Sequence, residues 1–195
     1  MLMPSRQEAE LHQLLFVQGG GAGTHDEWDD KLVDSLRREL GSKYEIRYPR
    51  MPNEHDPSYS EWKATLEREL AALDEGAILV GHSIGATILV NTLAAMRAQR
   101  RFGGIFLIAA PFVGDDGWTG DDLETPRDLG ARLPGGVPIH FYHGSEDETA
   151  PLSHVELYAR AVPQARVHCL RGRDHQLNND LSEVGAAIRF LEAGV

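Results

Sequence analysis

Four short clusters in this 195-residue chain carry side chains able to do acyl chemistry. The first is Gly81-His82-Ser83-Ile84-Gly85, lying between the apolar run Ala77-Ile78-Leu79-Val80 and the apolar stretch that starts at Ile84. Glycines flanking a serine allow a sharp, strained turn between strand and helix, with the hydroxyl projecting at the edge of a sheet. The second is Gln18-Gly19-Gly20-Gly21-Ala22-Gly23, directly after an apolar segment. The third, His143-Gly144-Ser145-Glu146-Asp147, and the fourth, Gly172-Arg173-Asp174-His175, each follow an apolar segment as well. A serine, an aspartate and a histidine, in that chain order and each just past a strand, make a nucleophile, an orienting acid and a general base: Ser83, Asp147 and His175. A tetrahedral oxyanion then needs backbone N–H donors, each worth ~3 kcal/mol. The N–H of Ile84 and that of Gly20 or Gly21 are the candidates.

Other assignments of these residues are weaker. A glycine-rich loop after a strand can cradle phosphate. Here Gly19, Gly21 and Gly23 step by two, Thr24 stands where a G-x-G-x-x-G pattern needs glycine, and no Walker lysine-serine pair follows. Asp115 and Asp116 also follow an apolar segment but sit in a run with Asp121, Asp122, Glu124 and Asp128, which reads as a solvated acidic stretch. Asp174 adjoins the base and is expected to point away from it. Glu146 and Glu148 are expected to be exposed. The nine histidines include no H-E-x-x-H or cysteine-histidine cluster, so no metal and no cofactor are expected. His82 reads as a packed or hydrogen-bonded residue, and the lone Cys169 as a buried strand residue.

The elements that position these clusters follow from hydrophobic periodicity. Strands are predicted at His12–Val17, Tyr44–Tyr48, Ala77–Val80, Ile105–Ala109, Val137–Tyr142 and Arg166–Leu170. Helices are predicted at Glu27–Leu40, Tyr59–Leu73, Ile84 to about Arg100, Asp121–Arg132, Leu152–Ala161 and Asp180–Leu191. Strict alternation of strand and helix argues for a mainly parallel six-stranded sheet with helices on both faces, a three-layer α/β/α sandwich, in one domain spanning 1–195. Two irregular stretches, Pro49 to Pro57 and Phe112 to Gly120, follow strands and should lie at the carboxyl edge, where open α/β sheets bind ligands. Trp28, Met51, His55, Phe112 and Trp118 are the candidate substrate-binding residues.

By the elbow, the glycine loop and the Ser-Asp-His order, the chain resembles the α/β-hydrolase superfamily over nearly its full length. Within it, the chain is most similar to the small retinoblastoma-binding-protein-9-type serine hydrolases and small carboxylesterases. The resemblance implies the fold without its first two strands and without a cap domain, with strand order 4-3-5-6-7-8 in the family's numbering. The triple glycine is also similar to the H-G-G-G oxyanion loop of larger esterases, with Gln18 where those have histidine. The implied activity is hydrolysis of a carboxylic ester, thioester or amide through an acyl-enzyme on Ser83. Acyl transfer to another acceptor is the alternative, as is a binding protein that retains the fold. The Asp147 charge is expected to push the His175 pKa above its reference of ~6.5.

Composition bounds the partners. Hydrophobic residues make up 42% and charged residues 25% of the chain, ordinary for a globular protein. The formal net charge of −11 disfavours nucleic acid and anionic lipid, and the partner implied by the resemblance is a small-molecule ester or acyl substrate. No apolar run approaches the ~18 residues of a membrane span, and the polar N-terminus lacks a secretory pattern. With a single thiol, these features point to a cytoplasmic protein. The cationic run Arg97 to Arg101 is expected to favour the end of its own helix.

Overall fold

The computed structural model describes residues 11–97, 100–120 and 122–192. Six strands form one sheet: β1 (His12–Val17), β2 (Tyr44–Arg47), β3 (Ile78–His82), β4 (Gly104–Ile108), β5 (Ile139–Gly144) and β6 (Arg166–Leu170). All adjacent pairs are parallel, in the order β2-β1-β3-β4-β5-β6. This is the order the resemblance implies. Helices α1 (Asp29–Leu40), α2 (Tyr59–Ala71), α3 (Ser83–Met96), α4 (Leu129–Arg132), α5 (Ser153–Ala161) and α6 (Ser182–Glu192) fill the connections and the C-terminal region.

The central strands are apolar on both sides because both sides are covered. Leu15 and Val17 of β1, with Leu79, Leu107 and Phe141, pack against Trp62 and Leu66 of α2, Leu89 of α3 and Tyr158 of α5. Leu14 and Phe16, with Val80, Phe106 and Ile108, pack against Leu32 and Leu36 of α1 and Val184 and Ile188 of α6. One residue of shift along a strand exchanges these two sets, so the pattern fixes the register, as in Leu15 beside Leu79 and Gly81 beside Leu107. The carboxyl ends of β1, β3, β5 and β6 therefore share one edge.

Four expectations are corrected. The helix predicted over Asp121–Arg132 shrinks to Leu129–Arg132, with Asp121 outside the described residues. Pro126 lacks an N–H and disfavours helical backbone at Thr125, which instead donates its N–H to the Val113 carbonyl (2.8 Å). Helix α3 ends at Met96 with Arg97 left-handed (φ 45°). Arg100 donates to the carbonyls of Leu70 (2.7 Å) and Ala71 (3.1 Å), so it serves the end of α2 rather than of its own helix. Cys169 is exposed, because β6 is the last strand of the sheet and its face at Val167 and Cys169 is only partly covered.

Candidate active site

Ser83 begins α3 immediately after β3, with left-handed backbone (φ 51°). A non-glycine residue in that region is strained, and the surroundings hold it there. A Cβ on Gly85 would lie 1.9 Å from the Gln18 carbonyl oxygen, and one on Gly81 would lie 2.7 Å from the Ala86 Cα. Only glycine lets β1, β3 and α3 converge so closely.

The Ser83 Oγ is 2.9 Å from His175 Nε2, and His175 Nδ1 is 2.8 Å from Asp147 Oδ2. The Asp147 carboxylate is fully buried. Its Oδ1 accepts the N–H groups of Thr149 and Ala150, both at 2.8 Å, and His143 Nε2 lies 3.3 Å from Oδ2. Burial opposes the Asp147 charge, but the His175 contact and the backbone donors carry its pKa below the usual carboxylate value. The two loops bearing Asp147 and His175 are cross-tied. Glu146 N–H donates to the Arg173 carbonyl (2.9 Å), and Gly172 N–H donates to Ser145 Oγ (2.9 Å). Gly144 admits this approach, since a Cβ there would fall 2.2 Å from the Arg173 oxygen.

For His175 the structure reverses the expected direction of the pKa. Burial pushes it below its ordinary value, and the charge of neighbouring His82 adds to that, together outweighing Asp147. The neutral imidazole is thus the favoured resting form. With an ionised Asp147 accepting at Nδ1, its lone pair is on Nε2, facing the Ser83 hydroxyl.

The glycine loop lies against the serine. The position of a Gly19 Cβ is 3.1 Å from Ser83 Cβ, and that of a Gly20 Cβ is 2.9 Å from Ile84 Cγ2. Gly19 N–H donates to Asp29 Oδ2 (2.6 Å) and Gly21 N–H to the Glu54 carbonyl (2.6 Å), so both are already engaged. Of the two loop donors expected, Gly21 is removed by this bond. Gly20 N–H has no protein acceptor among the described residues. Ile84 N–H lies in the first turn of α3, where helix donors have no partner within the helix.

Buried Gln18 occupies the expected position before the glycines and joins the loop to the segment after β2. Its Nε2 donates to Glu54 Oε2 (2.6 Å), and its Oε1 accepts the Met51 N–H (2.9 Å). Glu54 also accepts the N–H groups of Gly23 (3.2 Å) and His25 (3.1 Å). Sequence reasoning missed Glu54 and Asp29. Nothing in composition separates Glu54 from its neighbours in an irregular stretch, and Asp29 has the look of an ordinary acid at a helix start.

A cavity of about 560 Å³ opens beside Ile84. Pro57, Tyr59, Ile88, Val113, Trp118 and Leu123 give it apolar walls, with Asp56, Glu61 and Asp122 among its polar lining. Of the five expected substrate-binding residues, Trp118 lines it. Met51 and Phe112 are instead buried in the core, where Phe112 meets Tyr158 edge-on. Trp28 is half exposed beneath Lys31, and His55 is exposed; neither is among the residues lining this cavity. The rival acids are elsewhere: Asp115 pairs with Arg127 (2.6 Å), and Asp116 is exposed. Asp174 turns away to accept the Asn178 N–H (2.7 Å), and Glu146 and Glu148 are exposed, all as expected. Among the described residues, no group of three or more His, Cys, Asp or Glu could hold a metal ion. Among the described residues, no helix is long and apolar enough to cross a membrane.

An all-parallel six-stranded sheet, covered on both sides and carrying a serine elbow at its carboxyl edge, is the fold of the α/β hydrolases. The chain belongs to the Serine hydrolase family, whose model matches residues 14–175. Its fold is similar to that of the ydeN gene product from B. subtilis (TM-score 0.74, 19% identity, covering 93% of this chain and 99% of that one). It is also similar to Est1E from Butyrivibrio proteoclasticus (TM-score 0.68, 15% identity, 98% and 91%). A third similar structure is the esterase domain of a Rhodothermus marinus protein (TM-score 0.63, 18% identity, 93% and 86%). No curated protein matches the chain.

Proposed function

We propose that this serine hydrolase cleaves carboxylic esters of small molecules through an acyl-enzyme on Ser83. The observation that carries the reading is the unbroken line from Ser83 Oγ to His175 Nε2 (2.9 Å) and from His175 Nδ1 to Asp147 Oδ2 (2.8 Å). In this mechanism His175 takes the Ser83 proton as Oγ attacks the carbonyl carbon, and Asp147 holds the tautomer and balances the imidazolium that forms. The N–H groups of Gly20 and Ile84 receive the oxyanion. The imidazolium then gives its proton to the departing alkoxide, and a water activated by the freed imidazole hydrolyses the acyl-enzyme. The cavity beside Ile84 receives one side of the ester, with Trp118 on its wall. The esterase domain of the Rhodothermus marinus protein, similar in fold, agrees with this choice of substrate.

The test is fluorophosphonate labelling together with a panel of p-nitrophenyl esters of increasing chain length. Wild-type protein is expected to label and to turn over at least one ester, and Ser83→Ala to do neither. Absence of both in the wild type would sink the reading in favour of a binding protein. Labelling without turnover would point to acyl transfer.

A further inference from the structure

Directly beneath the candidate base is a second histidine that the proposed mechanism does not use. His82, the residue before Ser83, is 1% exposed. Its Nε2 is 3.1 Å from the backbone carbonyl oxygen of His175. Its Nδ1 is 2.9 Å from Asp29 Oδ1 and 3.0 Å from Oδ2. A carbonyl oxygen can only accept, so Nε2 must carry a proton. On the other side, Asp29 also receives the Gly19 N–H (2.6 Å) and the Gln176 amide (3.3 Å). Donors converging on a fully buried carboxyl group favour its ionised form, which can only accept. Against an ionised Asp29, His82 Nδ1 donates as well, which makes the ring cationic.

We propose that His82 is a permanent imidazolium, held by Asp29, that serves as a positioning residue for His175: it fixes the base's backbone carbonyl and discourages a second positive charge on the base's ring. This rests on His175 being the base of the hydrolase proposed above. The two rings are 5.0 Å apart, centre to centre. A fixed cation at that distance keeps the resting base free to accept the Ser83 proton. It also makes the protonated base a stronger acid toward the leaving group. Because Asp29 accepts the Gly19 N–H as well, one buried ion pair links the glycine loop, the elbow and the base loop.

The other charged or titratable groups around the two rings are few. Asp147, from the connection after β5, faces His175 and acts on His82 through its charge. His143 of β5 donates its Nε2–H to the Ala150 carbonyl (2.8 Å) and lies 3.3 Å from Asp147 Oδ2. Tyr48, just beyond β2, is within electrostatic range of Asp29. Burial opposes both charges of the pair, yet mutual attraction and hydrogen bonding carry His82 above its ordinary pKa and Asp29 below its own.

Two measurements test this. In the ¹⁵N spectrum of Ser83→Ala protein at pH 8, both ring nitrogens of His82 are expected to carry protons. A neutral one-proton pattern would overturn the proposal, and the measurement does not depend on whether the protein hydrolyses esters. In the active enzyme, His82→Gln keeps a donor for the His175 carbonyl without the charge, and Asp29→Asn removes the counter-ion without which buried His82 gives up its proton. Both are expected to move the acid limb of the kcat/KM profile upward by about one pH unit, the scale set by a unit charge at this distance in a partly screened site. Lower kcat at every pH with an unmoved midpoint would mean that the pair is merely structural, and the positioning role would be refuted.

Discussion

Replacing Asp147 by Asn tests the proposed base and its orientation in one step. The carboxylate Oδ1 takes two backbone N–H groups at 2.8 Å, from Thr149 and Ala150. An asparagine in this buried place keeps both bonds only by presenting its carbonyl oxygen to them. Its NH₂ then faces His175. The opposite orientation would set the two N–H donors against an NH₂ and regain only His175 and the longer contact to His143 (3.3 Å), whose proton already goes to the Ala150 carbonyl. The preferred orientation makes Nδ1 an acceptor and puts the His175 proton on Nε2, pointing at Ser83. The base then has no lone pair for the serine and no countercharge for its protonated form. The expected loss is about 10³–10⁴-fold in kcat/KM, or about 4–5.5 kcal/mol of transition-state stabilisation. Steady-state hydrolysis of a p-nitrophenyl ester reads it, with thermal unfolding as the control for retained fold. A loss of less than about tenfold in a folded variant would refute the assignment of Asp147 as the orienting acid.

Gly85→Ala should cost about 2–4 kcal/mol, since its Cβ must clear the Gln18 oxygen now 1.9 Å away and helix propensity returns only ~1 kcal/mol. Differential scanning calorimetry should show Tm lower by about 5–15 °C, and an unchanged Tm would mean the close approach is not needed. For wild-type kcat/KM, the lowered His175 pKa means the base stays neutral on moderate acidification. The acid limb should therefore have its midpoint below the ~6.5 of free imidazole, and a midpoint above it would contradict the burial argument. Acid stability follows from His140, whose pKa burial and neighbouring His168 push down to about 4. Because the unfolded chain binds this proton near pH 6.5 and the folded chain does not, stability is full above 6.5 and falls between 6.5 and about 4. The loss is about 1–3 kcal/mol after solvent screening, and a urea midpoint flat across that window would exclude it.

The sheet was legible because β1, β3 and β4 are apolar on both faces and each is followed by a change to helical periodicity; its order came from the resemblance to the α/β hydrolases. Ser83, Asp147 and His175 were legible because glycines mark the turns that carry them. The loops were not. Whether Met51 or Phe112 faces a cavity or the core depends on tertiary packing of irregular segments, which leaves no period in the sequence. Cys169 sits in an apolar alternation, but alternation cannot tell an edge strand from an inner one. The direction of the His175 pKa was misjudged because Asp147 was visible as a partner, whereas its burial and the Asp29–His82 pair were not: Asp29 and His82 are 53 positions apart.

The order of the strands has a consequence for synthesis. The proposed base follows β6, which among the described residues is the last strand along the chain and lies at an edge of the sheet. A growing chain folds from its N-terminal part first. Until the residues after β6 leave the ribosome, Ser83 has no imidazole beside it and Asp147 has nothing to orient. Such a chain can fold much of its sheet and still be chemically inert. On the proposed mechanism, a copy lacking the residues after β6 carries the serine without its base.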